Sequence, residues 1–290
     1  MFKILENNSL LEAINFPDNE SFVKFDYDGK PLTIVWHYES DAEIMVLAQI
    51  YDIISDKDPT HRMPKNLFIP YLPHARQDRR TSSNQPFSLN ILMSFIGKIT
   101  SNSNTEIYAL DIHNPNCVAI QYNNIKNIKS SNYAELVYNK NAYDAIIIPD
   151  KGAYDRCDEW WKIIYADTEE PKLIQCHKNR DPNTGQLSNP VVELSGEQYL
   201  KQKNNSCLIV DDIGTGFGTH IQLAKVIKEH NPDTNLDIWV THASFTRGID
   251  VVLEHFNHVY TTDSLISGRK YHSNPRITAF DSTQFLPKLL

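Results

Sequence analysis

Short, strand-like segments recur along the chain, several of them continuous apolar runs, and most are followed by a run of polar and charged residues. They lie at 32–36, 67–71, 107–110, 145–148, 173–175, 207–210, 236–240 and 259–261. An uninterrupted apolar strand is covered on both faces, as in a parallel sheet flanked by helices. Helical periodicity fills the gaps. Within 41–55, Ile44, Leu47, Ala48, Tyr51 and Ile54 share one stripe, and within 218–230 Ile221, Ala224 and Ile227 do. Strand and helix in alternation predict an α/β chain with mostly parallel sheets. A split near 143 gives two domains of similar make-up, 1–143 and 144–290.

Composition narrows the class. With 28 Lys+Arg against 36 Asp+Glu the net charge is −8. Nucleic-acid binding by charge neutralisation needs the opposite balance, so no nucleic-acid partner is expected. No apolar run approaches the ~18 residues of a membrane helix, so no membrane partner is expected. Glu6 and Asn7 interrupt the stretch where a secretion signal needs its apolar centre. Cys117, Cys157, Cys176 and Cys207 are scattered without paired spacing. Reduced, buried thiols in a cytoplasmic protein are expected, and no zinc site.

Parallel sheets bind ligands beyond the carboxyl ends of their strands. The residues found there are HARQDRR after 67–71, DIH after 107–110 and PDKG after 145–148. CHKNRDPNTG follows 173–175 and DDIGTGFGTH follows 207–210. Asp211 and Asp212 can accept hydrogen bonds from vicinal hydroxyls. The amides and hydroxyls of Gly214, Thr215, Gly216, Phe217, Gly218 and Thr219, where a helix begins, can hold a phosphate. Diol plus phosphate describes a ribose 5-phosphate unit. A capped turn with solvated aspartates would carry the same residues. No Gly-Lys-Ser/Thr follows, which excludes a Walker loop. Arg76, Arg79 and Arg80 concentrate guanidinium forks suited to phosphate oxygens on an otherwise acidic chain.

Together these segments resemble the ribose-phosphate diphosphokinases, also called phosphoribosyl pyrophosphate synthetases. CLIVDDIGTGFGTH resembles the ribose-phosphate loop of phosphoribosyltransferase-type folds. FIPYLPHARQDRR (68–80) resembles the family's ATP-binding strand and loop. FPDNESFVKF (16–25) is similar to its FSDGE segment, with Phe16, Asp18 and Glu20 matching. DIH and PDKG resemble its two metal-binding turns, HKNRD (177–181) its Lys-x-Arg loop, and VTHASFTRG (240–248) its late VTHG segment. The matches occur in family order.

The resemblance implies two tandem phosphoribosyltransferase-type, Rossmann-like domains, ATP-binding at 1–143 and ribose-phosphate-binding at 144–290. It implies Mg²⁺-dependent transfer of the β,γ-diphosphate of ATP to an anomeric hydroxyl, with AMP leaving. ATP would contact Phe16, Asp18, Glu20, Arg76, Gln77, Asp78, Arg79 and His113. His113 and Asp150 would serve Mg²⁺, with Asp111 supportive. Lys178 and Arg180, on a polar loop, would be catalytic, neutralising charge on the transferring group. Asp211, Asp212 and the 214–219 loop would hold the sugar phosphate. The 16–20 segment would reach the adenine pocket of a neighbouring subunit, which implies a homo-oligomer, a dimer or a hexamer.

The loop also departs from the family's DDxxDTGGT pattern. Thr215 replaces an acidic residue, Gly216 a threonine and Phe217 a glycine. Two acceptors stay open: ribose 5-phosphate in a rearranged cradle, or a 5-extended ribose such as ADP-ribose, whose product could feed NAD salvage. In the second reading Phe217 stacks on a base beside an opened cradle. Two other classes remain. A phosphoribosyltransferase shares the Asp-Asp loop but does not need RQDRR or Lys178 and Arg180. A non-catalytic regulatory homologue would be expected to lose those cations or His113.

Overall fold

The structure, a computed structural model, describes all residues except 19, 141, 166–171, 178–189, 202–204 and 289–290. The chain divides into two compact units, Met1–Lys129 with Ser282–Leu290, and Ser130–Asp281.

In the first unit the strands are β1 (Phe2–Ile4), β2 (Ser9–Leu11), β3 (Ala13–Asn15), β4 (Ser21–Val23), β5 (Leu32–Trp36), β6 (Lys65–Ile69), β7 (Thr105–Leu110) and β8 (Lys126–Ile128). Six form one sheet in the order β2-β1-β5-β6-β7-β8. β5 to β8 run parallel, and β1 and β2 close one edge antiparallel. β5 and β6 are buried at every position. Helix Glu43–Lys57 lends the core Val46, Leu47, Ile50 and Ile54, and helix Ser88–Thr100 lends Leu89, Leu92, Met93 and Ile96. This is the one-sided stripe that helical spacing demands. β6 starts two residues before the apolar run, because the buried Lys65 ammonium lies 2.8 Å from an Asp58 carboxylate oxygen. A paired charge can open an interior strand where a lone one could not. The short strands β1 to β4 carry no apolar run of their own and were not expected. β3 and β4 form a separate hairpin. The last described residues return to this unit, where Asn66 donates to the Pro287 carbonyl at 3.4 Å.

The second unit contains β9 (Ala145–Ile148), β10 (Lys172–His177), β11 (Val191–Val192), β12 (Ser206–Gly214), β13 (Asn235–Ala243), β14 (Val259–Thr262) and β15 (Ile277–Phe280). The sheet order is β11-β10-β9-β12-β13-β14-β15, parallel except for the β11 edge. Residues 130–143, expected with the N-terminal half, lie in this unit. Aromatic packing accounts for it. The Tyr133 ring sits 5.3 Å from Trp239 and its hydroxyl donates to the Asp281 carbonyl at 2.9 Å. Trp160 lies 4.9 Å from Trp239 and its indole donates to the Ser130 hydroxyl at 3.3 Å. All four cysteines are buried and none is in a disulfide, and burial pushes the Cys207 thiol up to about 12. No described helix is long and apolar enough to cross a membrane.

Candidate functional site

In the second unit β12 carries Asp211 and Asp212 to the carboxyl edge of the sheet. Asp211 is held from two sides. His220 Nε2 lies 2.8 Å from one carboxylate oxygen, and the Arg156 guanidinium stands 3.9 Å from both Asp211 and Asp212. Burial works to raise the Asp211 pKa, but the His220 hydrogen bond and the charges of His220 and Arg156 outweigh it. The carboxyl is therefore held below its ordinary value. Asp150 follows β9, the parallel neighbour of β12, and its charge reaches Asp211. Asp150 is half-buried and accepts a hydrogen bond from the Gly152 amide at 3.0 Å.

The loop after Asp212 bends through Phe217, a non-glycine residue in the left-handed region with φ 54° and ψ 10°. Helix Gly218–His230 begins immediately after it. A left-handed residue followed by a helical one makes a backbone concavity that suits anions, and the helix dipole adds to it. The Phe217 side chain does not face that concavity. Only 2% exposed, it stacks on Phe245 with ring centroids 5.1 Å apart and planes 14° apart. A side-chain carbon on Gly214 would fall 2.4 Å from the Phe217 ring, so the strand end admits only glycine there. The expectation that Phe217 stacks on a bound base is corrected: its ring lies in the core beneath the loop.

Thr215 stays exposed, and its carbonyl is gripped from the loop after β13. The Thr246 amide donates to it at 2.9 Å, the Thr246 hydroxyl at 3.0 Å and the Ser244 hydroxyl at 3.1 Å. Gly216, Gly218 and Thr219 are half-buried around the same turn. His177 ends β10 with its imidazole 2.7 Å from Glu193. Lys178 and Arg180, which follow it, lie outside the described residues.

In the first unit Arg76, Gln77, Arg79 and Arg80 are exposed beyond β6. Asp78 is engaged differently. Its carboxylate accepts from the Asn114 amide at 2.6 Å, and its backbone carbonyl accepts from the Cys117 thiol at 3.2 Å. Asp78 thus straps this loop to the one after β7. That second loop leaves the sheet through Asp111, buried and left-handed at φ 43°, and presents His113 to solvent. Phe16, Asp18 and Glu20 are exposed at the β3–β4 hairpin, where Phe16 stacks on Phe22 at 5.4 Å. Among the described residues no three His, Cys, Asp or Glu side chains cluster as a metal cage. Arg156 lies outside every motif, and the motifs that contain His220 and Arg247 gave these two residues no role. His220 meets Asp211 only because the loop folds back, a contact with no fixed spacing in sequence.

No family model matches the chain. It is 25% identical over 243 residues to the ribose-phosphate pyrophosphokinase of Pyrococcus furiosus, covering 82% of this chain and 79% of that one. It is 26% identical over 262 residues to the ribose-phosphate pyrophosphokinase of Pyrococcus abyssi, covering 88% and 84%. Over most of its length the chain is similar to ribose-phosphate pyrophosphokinases. Those relatives carry the name of a diphosphotransferase enzyme. Among solved structures, phosphoribosylpyrophosphate synthetase from Mycobacterium smegmatis superimposes with a TM-score of 0.71 at 17% identity, covering 94% of this chain and 86% of that one. That match bears on the fold, which is one of α/β units with mostly parallel sheets.

Proposed function

We propose that the chain transfers the β,γ-diphosphate of ATP to the anomeric hydroxyl of a ribose 5-phosphate unit, releasing AMP. The observation that carries this reading is the edge formed by Asp150, Asp211 and Asp212 with the anion-suited turn beside them. It occurs in a chain whose curated relatives bear the name ribose-phosphate pyrophosphokinase. Asp211, kept ionised by His220 and Arg156, would accept from the sugar hydroxyls together with Asp212. The turn at 214–219 would receive the 5-phosphate. Arg76, Arg79 and Gln77 would take ATP, with Asp78 fixing their loop. The anomeric oxygen would bond to the β-phosphorus, the bond from that phosphorus to the AMP oxygen would break, and the hydroxyl proton would pass to solvent. Lys178 and Arg180 would offset the charge developing on the transferred group.

The residues present fit Mg²⁺, which keeps several waters and binds through one or two carboxylates plus substrate phosphates rather than in an all-protein cage. Asp150 offers a carboxylate at the sheet edge, and His113 is exposed at the other unit's edge. When bound, the ion would neutralise phosphate charge. The exposure of Phe16, Asp18 and Glu20 supports an adenine site shared with a neighbouring copy. Deleting the 16–20 segment should weaken ATP binding.

A second acceptor stays in play on a separate observation. Thr215 and Arg247, both beside the turn, are exposed, which supports a 5-extended acceptor such as ADP-ribose, whose product would feed NAD salvage. The test incubates the protein with MgATP and, in parallel, ribose 5-phosphate or ADP-ribose, reading AMP and the mass gain of the sugar. Absence of AMP release with both acceptors sinks the proposed reaction, and the preferred acceptor decides between the readings.

A further inference from the structure

Arg247 lies alongside the turn that the proposed function assigns to the acceptor. A side-chain carbon on Gly216 would sit 3.3 Å from Arg247 Nε, and one on Gly218 would sit 3.4 Å from Nη1. The guanidinium therefore spans both glycines. Neither glycine has a positive φ, and what a methyl group would meet there is side chain, chiefly the movable end of Arg247. Packing alone does not demand glycine at either place, in contrast to Gly214. Arg247 is exposed and makes no ion pair or hydrogen bond with any described residue. Its attachment is nonetheless fixed. Thr246 is bonded to the Thr215 carbonyl through amide and hydroxyl, Phe245 is stacked on Phe217, and Gly248 donates to the Phe245 carbonyl at 2.9 Å. A cation without an anionic partner among the described residues is thus held over open backbone at an anion-suited turn.

We propose that Arg247 binds the phosphate on the sugar's 5-oxygen, completing with a guanidinium fork the cradle that the backbone begins. The proposal rests on the reading of 211–219 as the acceptor site. Ribose 5-phosphate and ADP-ribose both carry a phosphoryl group on that oxygen, so the chemistry is shared. Guanidinium suits it because two parallel N–H donors match two phosphate oxygens, which an ammonium cannot do. Gly216 and Gly218 then serve to leave the anion room between backbone and side chain.

The test measures calorimetric binding of ribose 5-phosphate, ADP-ribose and unphosphorylated ribose to the full chain and to Arg247→Ala, Arg247→Lys and Gly216→Ala, with steady-state kinetics alongside. Charge-assisted hydrogen bonds to phosphate predict, for at least one phosphorylated acceptor in Arg247→Ala, a loss of about 10- to 100-fold in affinity and a matching rise in KM. The kcat and the KM for ATP should hold, ribose should bind both proteins equally poorly, and Tm should not move. Arg247→Lys should recover part of the loss, and Gly216→Ala should weaken binding without lowering Tm. Loss for one acceptor alone assigns the contact to that acceptor. Unchanged affinity for both in Arg247→Ala overturns the proposal, as does a wild-type chain that binds neither. If the wild type binds an acceptor but releases no AMP, the diphosphate-transfer reading falls while the binding data still decide the role of Arg247.

Discussion

The two units solve one problem, how to fix loops at the carboxyl edge of a parallel sheet, in opposite ways. In the first unit the fastening is polar. Asp78 takes the Asn114 amide through its carboxylate and the Cys117 thiol through its backbone, and Arg76, Arg79 and Arg80 stay exposed on the fastened loop. In the second the fastening is aromatic from below and backbone-centred from the side. Phe217 and Phe245 stack under the loops, and three donors converge on one carbonyl, that of Thr215. The first arrangement presents long, movable cations, suited to a polyphosphate of several charges. The second presents fixed amide dipoles in a tight turn, suited to a single phosphoryl group.

The largest effect should come from neither fastening. Lys178→Ala and Arg180→Ala should each leave ATP affinity intact and cut kcat by roughly 10³-fold, by analogy with arginine fingers. Near-normal single-turnover rates in either variant would remove that pair from the chemistry. Next is Phe217→Ala. Deleting a buried aromatic ring costs about 3–5 kcal/mol, and alanine, which keeps its Cβ, relieves none of the strain of the left-handed backbone. Urea denaturation should show this loss, with Phe217→Gly somewhat milder, and acceptor binding should fail with it. If Phe217→Ala kept both stability and acceptor affinity, the aromatic fastening would have no role in shaping the cradle.

Arg79→Ala should behave in the reverse manner. It should raise the KM for ATP by about tenfold, the worth of one charge-assisted contact, and leave urea stability within ~0.5 kcal/mol. A matching loss of stability would mean the first unit's cations are also structural, and the contrast between the units would narrow.

The smallest effect concerns acid. The Asp58 carboxyl is held down at about 2, chiefly by the Lys65 hydrogen bond, against an ordinary 3.8. A carboxylate with a depressed folded pKa stabilises fully above its unfolded value and loses that contribution as pH falls through the folded one. The urea midpoint of Lys65→Met should therefore trail the wild type at neutral pH. The gap should close as pH drops from 3.8 towards about 2. A gap constant across that range would mean that Lys65 acts through packing alone.

Sequence exposed the skeleton well where segments were dominated by apolar and β-branched residues. Leu32–Trp36 and Ala145–Ile148 are strands at the expected bounds, and Gly218–His230 is a helix at them. It failed where another interaction substitutes for apolarity: Lys65 opens a buried strand through its ion pair, and β12 continues through Asp211 and Asp212 to Gly214. At the site, residue types revealed which segments are polar at strand ends but not which way a side chain turns. Phe217 reads as an intruder in a glycine loop. In three dimensions its backbone supplies the turn while its ring is withdrawn into the core, because Phe245 offers it a stacking partner from a segment 28 residues away. The roles of His220 and Arg156 were not legible for the same reason, since both act on Asp211 through tertiary contact.

The lock between Gly214, Phe217 and Phe245 constrains how this loop can diverge. Enlarging position 214 first drives a methyl group into the Phe217 ring. Shrinking 217 or 245 first leaves a void beneath the turn. Each single step passes through a less stable chain, so the three positions exchange as a set or not at all. A descendant carrying glycine at 217 should therefore also carry an altered residue at 245, and it would gain the freedom to hold a larger residue at 214. Pairwise covariation among these positions is the trace such a history would leave, even where the individual residues share no resemblance.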